Sequence, residues 1–168
     1  GFGLPVNTSV VGGTTIRIEA QVANTPFTAV IQSLSSNRKL VIAGEGEERG
    51  ALESLARELG VGDRVILPGF IANPYPLMAR ADIFVLSSNS EGYPNALIEG
   101  MAVGRPVIST NCNSGPSEIL AEKPRSAISG LTFAEHGVLT PVGDAEAMAE
   151  AIRALDDPRR RGEYGAKA

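Results

Sequence analysis

Two carboxylates, Glu91 and Glu99, lie eight positions apart in the stretch SEGYPNALIEGMAVG, residues 90–104. Between them come Gly92, Tyr93, Pro94, Asn95, Ala96 and a short apolar run. Glycine and proline ahead of such a run mark a tight turn into a helix. The unpaired N–H groups of a first helical turn, with the positive end of the dipole, form a ready anion site. Glu99 would lie within about one turn of that end. Its carboxylate accepts hydrogen bonds from hydroxyl pairs of the kind a sugar offers. Glu91, just ahead of the turn, can reach other hydroxyls. A diphosphate on amides with an acid to either side is what a nucleotide-sugar requires. The same acids also have a plainer reading. Near a helix N-terminus each is stabilising by about 0.3–1 kcal/mol, and Ser90 or Asn95 could simply cap. Spacing alone leaves both readings standing, with the plainer one ahead.

The elements that must position these residues alternate along the chain. Strand-like runs are expected at 14–18, 39–44, 64–69, 82–88, 106–110 and 137–143. Helical spacing falls between them, at 26–36, 47–60, 75–81, 95–104, from 115, and at 144–157. Gly60 suits a left-handed helix end, and Asp144 an N-cap. Runs apolar on both faces belong in a parallel sheet covered on both sides. The expected fold is therefore α/β: a doubly wound, Rossmann-like parallel sheet of about six strands with helices on both faces. Residues 122–136 break the rhythm and read as an excursion. In such a sheet, ligands bind beyond the carboxyl ends of the strands. That rule points at 44–49, 68–75, 87–95 and 110–116.

The chain has 168 residues, 43% hydrophobic and 20% charged, enough for one domain with its own core. Residues 1–13 are expected to be a frayed start and 14–168 the domain. A net charge of −4 argues against a nucleic-acid partner. The basic PRRRGEYGAK near the end reads as a solvated helix face. Cys112, the only cysteine, excludes an internal disulfide and fits a reducing compartment. It is expected to be a small apolar-like residue after a strand rather than a nucleophile. With no secretory signal and no run long enough to cross a bilayer, a cytoplasmic location is expected. The AGEGEE segment lacks the spacing of a dinucleotide fingerprint, and its acids would repel a pyrophosphate. There is no P-loop and no metal spacing. Ser87, Ser88 and Ser90 lack a histidine partner, and the sole histidine, His136, sits in the excursion.

The segment SSNSEGYPNALIEGMAVGRPVISTNCNSGPSEIL, residues 87–120, resembles the donor-site signature of group-1 (family-four) retaining glycosyltransferases of the GT-B fold. The segments LVIAGEGEERGALESLARELGVGDRVILPGF and GVLTPVGDAEAMAEAI are similar to other parts of that donor domain, and the resemblance covers about residues 38–156. It implies transfer of a sugar, with retention, from a nucleotide-diphosphate donor of the UDP or GDP type, without a cofactor or metal. Glu91 matches the first family acid, the catalytic candidate that meets the donor sugar. Glu99 matches the second, which holds the ribose hydroxyls. Gly92, Tyr93, Pro94, Asn95 and Ala96 match the turn whose amides contact sugar hydroxyls and phosphate. Phe70 matches the loop near the nucleobase, and Gly115 and Pro116 the start of the next helix. Arg17 can be placed on a family arginine that grips the diphosphate. The lysine expected about five residues on falls instead on Val22, a loss that would weaken donor binding.

A GT-B enzyme has two Rossmann-like domains, and this chain has room for the donor domain alone. The isolated domain is expected to transfer little or nothing. A glycan or lipid-linked acceptor would be held by the other half. Peripheral association of the parent protein with the inner face of the membrane is compatible with this reading. The alternatives are a non-catalytic nucleotide-binding or scaffold domain and a nucleotide-sugar epimerase or phosphorylase of similar architecture. A phosphorylase would need a cofactor lysine with its pocket, for which there is no local signature.

Overall fold

The computed structural model describes residues 15–19, by their backbone alone, and residues 38–168. The helix expected at 26–36 and the departure at Val22 lie outside the described residues. Seven strands are described: β1 (Thr15–Glu19), β2 (Lys39–Ala43), β3 (Val65–Gly69), β4 (Ile83–Leu86), β5 (Val107–Thr110), β6 (Thr132–Phe133) and β7 (Val138–Thr140). They form one sheet in the order β3-β2-β1-β4-β5-β7-β6. All neighbours are parallel except β6 and β7. Six parallel strands thus carry the fold, as expected. The two-residue β6 is an antiparallel addition inside the excursion, too short to show any period in sequence.

The α-helices among the described residues are α1 (Arg49–Glu58), α2 (Tyr75–Met78), α3 (Asn95–Ala102), α4 (Pro116–Ala121), α5 (Ala145–Ala154) and α6 (Pro158–Lys167). Period-two alternation within the apolar strands divides the core between the two faces of the sheet. Ile83 and Val85 of β4 join Leu40, Ile42 and Ile108 beneath Leu52 and Ala56 of α1 and Met148, Ala151 and Ile152 of α5. Phe84 and Leu86 point the other way, against Leu97 of α3 and Leu120 of α4. β3 is an edge strand, which is where Pro68 is tolerated, and its register with β2 shifts between Val41 and Ala43.

Helix ends follow the local chemistry. Gly60 has φ +67°, and its N–H donates to the Arg57 carbonyl at 3.0 Å, closing α1. Asp144 caps α5, its carboxylate accepting from the Ala147 N–H at 3.0 Å. Because α5 buries six residues against the sheet, its first turn is coupled to the whole fold. Asp144→Ala is expected to lower the unfolding free energy by about 1 kcal/mol, read as a lower urea midpoint at unchanged slope. An unchanged midpoint would show that solvent replaces the cap at no cost.

The basic tail forms α6 and packs near the amino edge of the sheet. A Cβ on Gly165 would lie 2.9 Å from the Gly104 carbonyl. Arg161 reaches Asp82, just before β4, at 3.8 Å. Arg159 pairs with Glu163 at 3.3 Å, and Lys167 with Glu135 at 3.2 Å. Arg160 lies 4.7 Å over the Phe133 ring. No helix among the described residues is long and apolar enough to cross a membrane.

Candidate functional site

Parallel pairing of β2, β1, β4 and β5 brings the loops after those strands to one edge. The order reverses between β1 and β4: the chain moves outward one way from β1 to β2, and the other way from β4 to β5. At such a switch point the following connections diverge and leave a crevice. Arg17 lies in β1, two residues before its carboxyl end, paired with Phe84 and Val41. The loop carrying Glu91 leaves β4 directly beside it.

That loop is braced by hydroxyl groups. Ser88, 2% exposed, donates to Glu91 Oε1 at 2.5 Å. The Ser88 carbonyl in turn accepts from the Thr110 hydroxyl at 2.5 Å. Ser90 and Asn113 form a parallel bridge between this loop and the one after β5. Gly115, with φ +111°, packs so closely on the buried Pro94 that a Cβ there would stand 2.7 Å from Pro94 Cγ. Glu91 therefore projects half-buried from a loop fixed to its neighbour at several points.

Pro94 occupies the cap position of α3, at φ −82° and ψ 68°, and no side chain caps the helix. Asn95 is the first helical residue and lies exposed, so capping by Ser90 or Asn95 does not occur. The Asn95 and Leu97 N–H groups turn back to the carbonyls of Tyr93 and Pro94, at 2.9 and 3.0 Å. The first turn itself holds no acid, so the positive end of the helix carries no carboxylate of its own. Gly92 is not in the left-handed region, and a Cβ on it would meet nothing within 4 Å. The tight turn expected of that glycine is made without special backbone freedom. What it provides is open space beside the helix end. Ala96 is half-buried behind that end.

Glu99 lies one turn into α3, half-buried, and its Oε1 accepts from the Tyr75 hydroxyl at 3.2 Å. The neighbouring Glu99 charge pushes the Tyr75 phenol up, so it stays protonated and donating at neutral pH. Tyr93 and Phe70 expose their rings, Phe70 to 80%. Flat apolar surfaces on loops of this edge suit stacking on a planar ring.

The flanking loops are largely self-satisfied. Arg49 pairs with Glu45 at 3.5 Å and Glu53 at 3.0 Å, and donates to the Leu67 carbonyl at 2.8 Å. At α4, Pro116 takes the first helical position and the Glu118 carboxylate accepts from the Gly115 N–H at 3.1 Å. Its own backbone N–H, chiefly, holds that carboxyl below the usual range. Cys112 is buried; burial first, and then the Glu91 charge, push its thiol up, so it is a neutral packing group. His136 lies apart from this edge, just before β7. Its Nδ1 contacts the Lys167 carbonyl at 2.8 Å and its Nε2 lies 3.5 Å from Glu122. No group of three or more metal-ligating side chains is assembled among the described residues.

Sequence reasoning gave Tyr75, Ser88 and Thr110 no part in positioning the two acids. Ser88 drew notice only as a nucleophile without a base. Tyr75 lies 24 positions from Glu99, a separation that no local pattern bridges. The arrangement places the positive end of a helix and two carboxylates on one edge, which suits an anion beside a hydroxyl-bearing group.

The family described as glycosyl transferases group 1 matches this chain over residues 9–157. An uncharacterised glycosyltransferase of Methanocaldococcus jannaschii is 39% identical over 108 residues, covering 62% of this chain and 26% of its own length. The N-acetylgalactosamine-N,N'-diacetylbacillosaminyl-diphospho-undecaprenol 4-alpha-N-acetylgalactosaminyltransferase of Campylobacter jejuni is 34% identical over 136 residues, covering 80% of this chain and 34% of its own. TarM of S. aureus, solved in a complex that includes UDP, shares the fold with a TM-score of 0.74 at 20% identity, covering 94% of this chain and 31% of its own. The chain thus spans about a quarter to a third of these proteins. On this match in sequence and fold, it belongs to the group-1 glycosyltransferases and corresponds to their C-terminal domain in the GT-B architecture.

Proposed function

We infer that this domain binds the donor of a retaining glycosyl transfer, a nucleotide-diphosphate sugar of the UDP or GDP type. The diphosphate rests at the N-terminal end of α3, drawn by its dipole, with Gly92 to Ala96 around it and Arg17 as a further phosphate partner. Glu99 holds the ribose, Glu91 meets the donor sugar, and Phe70 lies near the base. Charge building on the departing diphosphate is stabilised by the helix end and Arg17, which promotes an oxocarbenium-like step at the sugar. The observation that carries this reading is the position of α3: its uncapped start lies at the switch-point edge, with Glu91 and Glu99 on either side. The UDP bound in the S. aureus neighbour supports the choice of nucleotide.

The acceptor, a glycan or a lipid-linked saccharide, is held by a second domain. Relatives named for transfer to a diphospho-undecaprenol carrier and for lipopolysaccharide core synthesis favour such acceptors. Such an acceptor is membrane-bound, and we place action of the parent protein in the cytoplasm at the inner face of the membrane.

Calorimetric titration of UDP and GDP into the intact protein tests the site. Glu99→Ala is expected to weaken the preferred nucleotide about tenfold to a hundredfold, the worth of hydrogen bonds to a charged group. Unchanged affinity refutes the assignment. A second reading, a nucleotide-binding module without transfer, rests on Val22, which falls where the resemblance to the family implies a lysine. Nucleotide binding without nucleotide release from a donor sugar in the presence of acceptor would establish it.

A further inference from the structure

The Tyr75–Glu99 contact links two parts of the carboxyl edge that the sequence gives no reason to connect. Tyr75 opens the four-residue α2, between Pro74 at the cap and Pro76 one position on. Both prolines fix φ, so the backbone that carries the phenol has little freedom. Asn73 Oδ1 accepts from the Tyr75 N–H at 3.3 Å, and Leu77 and Met78 anchor the short helix in the core. The ring is 46% exposed, so its hydroxyl meets Glu99 at the surface of the crevice rather than inside the packing.

A glutamate side chain alone rotates freely and presents its carboxylate in many planes. A fixed donor on Oε1 selects one of them. It leaves Oε2, and the second lone pair of Oε1, for an incoming hydroxyl. The phenol oxygen, while donating, keeps acceptor capacity of its own.

We propose that Tyr75 is a positioning residue for the nucleotide: by holding Glu99 through its hydroxyl, it sets the preference of the site for a ribose over a deoxyribose. The inference rests on the assignment of Glu99 to the ribose hydroxyls. It concerns Tyr75, which that assignment does not involve.

The test compares UDP and GDP with their 2′-deoxy and 3′-deoxy forms, titrated into the intact protein and into Tyr75→Phe and Glu99→Gln. Tyr75 is half-exposed and the phenylalanine keeps its ring, so folding is not at issue. The unaltered protein is expected to prefer the ribonucleotide by about tenfold or more over at least one deoxy form. Tyr75→Phe is expected to weaken the ribonucleotide about three- to tenfold while leaving that deoxy form within about twofold, so that the ratio collapses. Adding Tyr75→Phe to Glu99→Gln should change little further. A ratio that Glu99→Gln collapses and Tyr75→Phe leaves intact overturns the role of Tyr75 and spares the ribose assignment. So does an equal loss for all forms in Tyr75→Phe. A ratio that neither variant changes, or no binding of either nucleotide, overturns both.

Discussion

Gly100→Val is expected to cost about 3 kcal/mol of stability and, with it, most of the nucleotide binding proposed for this domain. A Cβ at Gly100 would stand 2.7, 2.9 and 3.0 Å from three atoms of the Phe84 ring. Phe84 is fully buried in β4, and its ring cannot swing aside without opening the face packed by Leu97 and Leu120. The helix must lift instead. Alanine at this position would gain about 1 kcal/mol of helix propensity and lose about 1–3 kcal/mol to overpacking, so Gly100→Ala should be the milder of the two. Valine adds further branches in the same direction. Urea denaturation of both, alongside Phe84→Leu and the double variants, gives the decisive cycle. A smaller ring-free side chain should recover part of the loss, with a coupling of about 1 kcal/mol or more. Full additivity would mean that the helix accommodates the methyl elsewhere. Since Glu99 immediately precedes Gly100, a lifted helix also parts Glu99 from Tyr75.

Gly115→Ala is expected to cost a similar amount for two separable reasons. At φ +111° any L side chain is strained, by about 1–3 kcal/mol. Independently, its Cβ would collide with the Pro94 ring. Pro94→Ala in the same chain should relieve the second cost and not the first. Thermal unfolding of the two single variants and the double should show this as a favourable coupling. If Gly115→Ala alone leaves the melting temperature unchanged, then α4 enters by another route and the contact with Pro94 is incidental.

Much of the fold was legible because its signals are local. The unbroken apolar run of β4, buried along all four residues, could only be an interior strand. The face of α5, Ala147 to Leu155, reads inward in sequence and is inward in space. Asp144 and Gly60 act as their types predict. Legibility fails where an element is defined by its partner. Thr132–Phe133 becomes a strand only because Val138 and Leu139 lie alongside. The excursion is held in part by Arg125, whose Nε donates to the Asn111 carbonyl at 2.9 Å. In the candidate site, the glycine, the proline and the two acids were visible by type and order. The groups that aim them were not. A serine next to a strand end has many uses, of which a bond to Glu91 three residues on is one, and only the fold brings Thr110 to the Ser88 carbonyl and Tyr75 to Glu99. Gly92 shows the converse: a residue singled out for its backbone freedom turns out to matter for the room it leaves.

The lacing between residues 87–94 and 110–116 bears on how chimeras of these enzymes should be cut. The Thr110 hydroxyl, the Ser90–Asn113 bridge and the fit of Gly115 on Pro94 are each shared across the two segments. Transplanting one of them from a relative strands a hydroxyl or wedges a methyl into a ring. Transplanted as a single cassette, the pair keeps its seams internal. If the donor site proposed above lies in these segments, its preference is better exchanged by two-segment grafts than one loop at a time.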